Sequence, residues 1–119
     1  MKRNWTVYLI HHSHTDIGYT ERQDKIATYH RDFICQAVDI LDEIHNGTGK
    51  EAQGFKWQCE NFWQVRNFYA SASDSYIERF EKYVQGGEIG LSGNYLNLTE
   101  LVSYDVLFER IGLAKEYGR

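Results

Sequence analysis

HHSHTDIGYT, running His11, His12, Ser13, His14, Thr15, Asp16, Ile17, Gly18, Tyr19 and Thr20, follows directly on the apolar run WTVYLI at residues 5–10. This junction decides the fold, because an apolar run that ends abruptly in ligand-type side chains is how a buried strand and the loop at its carboxyl end read. In extended backbone side chains alternate sides, so His12, His14 and Asp16 project one way and His11, Ser13 and Thr15 the other. Imidazole and carboxylate donors two residues apart can share a divalent ion, and zinc accepts that donor set. A catalytic zinc takes three protein ligands and keeps one position open, so this stretch supplies part of a site. The plain alternative is that these histidines are hydrogen-bonded polar residues at a strand end.

Outward from the junction, Trp5, Val7, Tyr8, Leu9 and Ile10 alternate little, which predicts a first strand covered on both faces. Thr20 and Gln23 match a capping box, and Ile26, Tyr29, Phe33, Ala37, Leu41 and Ile44 recur at helical spacing until Asn46, Gly47 and Gly49 stop the helix. His30 and His45 fall on this helix and are expected at its surface. A second strand is expected over residues 55–59, with Gln58, Cys59, Glu60 and Asn61 at its end. Phe62, Val65, Phe68 and Tyr69 then mark a helix, and Ser75 with Glu78 suggests a second capping box ahead of Tyr76, Ile77, Phe80, Tyr83 and Val84. Residues 88–91 read as a third strand and Ser92, Gly93 and Asn94 as a loop. Leu101, Tyr104, Phe108 and Ile111 give a last helix to about Tyr117.

This alternation predicts an α/β fold with a parallel sheet and three successive strand-helix units. Functional groups of such sheets collect at the carboxyl ends of the strands, here at residues 12–16, 58–61 and 92–94. Glu60 can act as a general acid or base, bond a ligating histidine, or simply favour a helix N-terminus. Asn94 can hold a sugar hydroxyl or serve the turn after Gly93.

Composition narrows the classes. At 119 residues the chain suits one domain, and 42% hydrophobic with 15% aromatic residues argues for a packed body. A net charge of -4 without a basic block disfavours nucleic acid as a partner. The start, MKRNWTVYLI, runs into HHSHTD without the apolar core of a secretion signal, and no stretch is long enough to span a membrane. Cys35 and Cys59, far apart and outside any CxxC, fit a reduced cytoplasmic protein and small buried side chains.

The string from His12 to Tyr19 resembles the HxHxDxGW signature of glycoside hydrolase family 38, the zinc-dependent alpha-mannosidases. FKWQCENFW at residues 55–63, GEIGLSGNYLNLTE at residues 87–100 and the following helix are similar to that family's N-terminal catalytic domain in order. The resemblance implies a seven-stranded (β/α) barrel-like domain, of which residues 1–119 would form the first three strand-helix units, an apparently truncated N-terminal portion. It implies that His14 and Asp16 are zinc ligands, that His12 shapes the sugar pocket, and that Tyr19, standing where the family has Trp, stacks on the sugar. Glu60 and Asn94 are further candidates. The implied reaction is retaining hydrolysis of an alpha-linked sugar, in which an Asp attacks the anomeric carbon and an acid protonates the leaving oxygen. That nucleophile is expected beyond Arg119, so the chain alone would be inactive or nearly so, with a carbohydrate as partner and an exposed sheet edge prone to self-association.

Two other classes remain open. HxHxD also resembles the start of metal-dependent phosphoesterases of the polymerase and histidinol phosphatase type and, more distantly, of amidohydrolases; there His12 and His14 would both bind metal. A non-catalytic sugar-binding domain with a structural metal would use the abundant aromatic residues, though a closed structural zinc needs four ligands.

Overall fold

The computed structural model describes residues 3–97 and 101–117. Among these, the elements in order are α1 (Gln23–His45), a single 3-10 turn (Lys50–Ala52), β1 (Trp57–Gln58), α2 (Phe62–Ser71), α3 (Asp74–Gln85), β2 (Ile89–Gly90) and α4 (Tyr104–Tyr117). Four helices therefore dominate, with a parallel two-stranded sheet in which Trp57 pairs with Ile89 and Gln58 with Gly90. This corrects the expectation of three strand-helix units of a seven-stranded barrel-like α/β domain.

The expected first strand shows the physical reason. Residues 5–10 are exposed, and pairing begins only at His11, whose carbonyl accepts from the Gln58 amide at 2.8 Å and which forms an isolated parallel bridge with Trp57. A strand apolar on both faces is stabilised by layers that cover both. No such layers lie over residues 5–10 among the described residues. The second and third strands shrink to two residues each because their neighbours turn at once into the Glu60–Asn61 cap and the loop from Leu91.

The core lies where α1 packs on α2 and α3. Its fully buried members include Ile34, Val38, Leu41, Val65, Phe68, Phe80, Tyr83 and Ile89. The buried face of α1 follows Ile26, His30, Ile34, Val38 and Leu41, so the expected stripe through Tyr29 and Phe33 is turned by about one residue. Tyr29 is exposed and Phe33 half-buried. The displaced face also corrects the placing of His30 at the surface, since its ring is only 1% exposed. His45 does lie at the surface, bonded to Glu88 at 2.9 Å and stacked on Tyr83. Across the α1–α3 seam Arg79 bonds both Asp39 and Asp42 and lies over the Tyr76 ring, while the Tyr83 hydroxyl donates to Asp42 at 2.5 Å.

Neither expected capping box forms. Helix α1 begins after Arg22, whose carbonyl accepts from Lys25 and Ile26, and α3 begins after Ser73, leaving Ser75 and Glu78 inside the helix. The reciprocal cap is at α2. Asn61 accepts from the Gln64 amide at 3.2 Å while the Gln64 side chain accepts from the Glu60 amide at 3.1 Å. A Cβ at Gly90 would come within 2.2 Å of Gln58 Oε1, so the Gln58 side chain packs over the space that this glycine leaves open. No helix among the described residues is long and apolar enough to cross a membrane.

Candidate functional site

The two strands and the bridge at His11 run parallel, so the chain leaves all three on the same side. Beyond them residues 14–17, Glu60 and Asn61, and Leu96 and Asn97 line one open cleft of about 250 Å³. From residue 12 to 17 exposure alternates: His12, His14 and Asp16 face outward, and Ser13, Thr15 and Ile17 are partly buried. Gly18 then turns the chain with φ of 85°, a left-handed conformation that L side chains rarely adopt.

Within the cleft His14 Nδ1 donates to Glu60 Oε1 at 2.5 Å, and its Nε2 stands 3.6 Å from Asp16 Oδ1. Glu60 is held from behind by the α2 cap and accepts a second bond from Asn97 Nδ2 at 2.9 Å. The bond to Glu60, the charge of Glu60 and, more weakly, the charge of Asp16 raise the His14 pKa above its ordinary value. With Nδ1 bearing the proton of the neutral ring, the Nε2 lone pair faces the Asp16 carboxylate. Two electron-pair donors set face to face are favourable only with a proton or a cation between them.

The separation suits a metal. A tetrahedral ion with bonds of about 2.0–2.2 Å holds two ligand atoms roughly 3.3–3.6 Å apart. A carboxylate accepting the other ring N–H of a ligating histidine is the usual support, since it fixes both tautomer and ring direction. Among the described residues no group of three or more His, Cys, Asp or Glu side chains is placed to hold a metal ion, so His14 and Asp16 offer two donors.

Of the other candidates, His12 is exposed and no hydrogen bond joins it to another described residue. Tyr19 is 90% exposed and does not line the cleft. Asn94 serves the backbone: its carbonyl accepts from the Phe62 amide at 2.8 Å, and its amide donates to Ser92 Oγ. Residues 98–100 of the segment GEIGLSGNYLNLTE lie outside the described residues. The sequence reading missed Asn97, three residues past Asn94, and His30, which sits beneath the turn with Nδ1 3.4 Å from Ser13 Oγ.

A larger hollow of about 310 Å³ lies between residues 8–10 and the start of β1 and β2. Its lysine, Lys56, is engaged by the Gly87 carbonyl at 2.9 Å, and no ligand-type cluster forms there. Cys35 and Cys59 are free thiols, and burial pushes the Cys59 thiol up to about 12, which makes it inert. Compared with protein-family models, curated proteins and solved structures, the chain matches none.

Proposed function

We propose that this chain carries the first metal-binding corner of a zinc-dependent retaining glycoside hydrolase of the alpha-mannosidase kind, acting on alpha-linked sugars. The observation that supports it is the His14–Asp16 pair with Glu60 behind it: Nε2 and Oδ1 3.6 Å apart, and Nδ1 bonded to the carboxylate at 2.5 Å. It adds geometry to the resemblance carried by residues 12–19.

In this reading Nε2 of His14 and Oδ1 of Asp16 hold the ion, which supplies an electrophilic anchor for sugar hydroxyls. Glu60 keeps the proton on Nδ1, so the lone pair stays on the ligating nitrogen. Asn97 orients Glu60, and Ile17 and Leu96 give the cleft apolar wall against which a sugar ring can lie. Among the described residues of the cleft the carboxylates are Asp16 and Glu60, Asp16 set beside His14 Nε2 and Glu60 bonded to His14 and Asn97, and neither is assigned the nucleophile's role. The chain by itself is accordingly expected to bind zinc without turning over substrate. The free thiols support a reducing compartment such as the cytoplasm.

The test is zinc binding followed by turnover. Calorimetry of the chain should give one ion per molecule, with binding lost in His14→Ala and Asp16→Ala and retained in His12→Ala. Aryl alpha-mannoside hydrolysis should stay at background with or without zinc. Loss of binding in His12→Ala would instead favour the phosphoesterase reading, in which His12 is a ligand.

A further inference from the structure

We infer that His30 is the strut that sets the metal-binding turn, a positioning residue that acts on His14 and Asp16 through Ser13. The inference rests on the reading of His14 and Asp16 as a ligand pair. His14 and Asp16 are themselves 61% and 59% exposed, so Glu60 is the one described side chain that restrains either ligand from outside the turn. The turn must be held from below.

His30 is placed for that. It projects from the second turn of α1, the longest helix, among the buried residues Ile26 and Ile34. Its ring is fixed edge-on against Phe33 and Trp63, with centroids 5.7 and 6.0 Å away. From that position Nδ1 reaches Ser13 Oγ at 3.4 Å, on the inward side of the turn that Thr15 shares. These two residues flank His14 and point inward where His14 and Asp16 point outward. Holding Ser13 beside His14 from below fixes the backbone direction at that ligand, and with it the distance from Nε2 to Oδ1.

Energetics agree with a positional role. Burial lowers the His30 pKa, opposed by the Thr15 main chain and by the charge of Glu60, so the ring is held neutral. A neutral imidazole in an apolar layer costs more to bury than a Phe of similar shape unless its polar atoms are bonded. The bond it makes, to Ser13, goes to the turn.

The experiment uses the whole chain and four proteins: wild type, His30→Phe, His30→Asn and Ser13→Ala. Phe keeps the packing and removes the polar atoms, Asn returns an amide near the Nδ1 position, and Ser13→Ala leaves the core untouched. Zinc affinity is read by competition with a chromophoric chelator, and the His14 ring is read by nitrogen chemical shifts in metal-free protein. The expected result is a cooperative melt in His30→Phe with zinc binding about tenfold weaker, and His14 shifts displaced toward those of a free imidazole. Ser13→Ala should show a smaller displacement of the same sign, and His30→Asn a partial return. Unchanged His14 shifts and zinc affinity in both His30→Phe and Ser13→Ala would overturn the strut while leaving the metal reading intact. Displaced His14 shifts in a protein whose wild type takes no zinc would overturn the metal reading and leave the strut. Should His30→Phe fail to fold, Ser13→Ala decides alone, by the same two outcomes.

Discussion

Phe68 and Leu9 are both large apolar residues in strongly apolar stretches, yet one is fully buried and the other is 82% exposed. Phe68 sits in α2 with its ring 4.8 Å from that of Phe80, inside the layer that α1, α2 and α3 close around β1 and β2. Leu9 belongs to residues 5–10, which are apolar at Trp5, Val7, Tyr8, Leu9 and Ile10 and form no element. Helix α4 is intermediate: Leu113 and Ala114 reach the core, while Tyr104 and Phe108 stack on each other near solvent. Apolar sequence thus becomes structure where a second surface covers it, and the candidate site lies at the seam where the uncovered segment first pairs, at His11.

This contrast can be broken by substitution. Phe68→Ala should have the largest effect, a loss of about 3–5 kcal/mol of stability from lost burial and the cavity left behind, measured by urea denaturation. At the seam, zinc affinity should fall about tenfold, or 1.4 kcal/mol, for each pH unit below the raised His14 pKa, because a proton on Nε2 excludes the metal. The sign is fixed by the direction of that shift: protonated His14 pairs with Glu60 and Asp16, so the apo site is favoured in acid and the loaded site above the pKa. Titrations at several pH values check this. Tyr83→Phe, which removes the bond to Asp42 and keeps the ring, should cost about 1 kcal/mol by the same denaturation. Leu9→Ala should change stability by less than about 0.5 kcal/mol. A cost near that of Phe68→Ala would mean that residues 5–10 are covered in solution.

Residue patterns made part of this legible. The helices at residues 23–45, 62–71 and 74–85 followed from apolar spacing, and the outward set His12, His14 and Asp16 from the two-residue period of extended chain. The face of α1 did not, because counting His30 as polar turned the stripe toward Tyr29 and Phe33, whereas the helix buries His30 and bonds it to Ser13. The caps were misplaced for a similar reason. Thr20 with Gln23 and Ser75 with Glu78 have the right spacing, but a cap also needs the chain to enter the helix from extended backbone, as it does at Asn61. Strand one was unreadable from its own residues, since what decides it is the presence of layers on both faces. Asn97 was hidden because a loop, with no period of its own, brings it back to Glu60.

The measurement closest to the central claim is zinc binding by wild type and His14→Ala compared side by side in calorimetry at neutral pH. One zinc per chain is expected in the wild type and none in the variant. Equal binding by both proteins would contradict that claim.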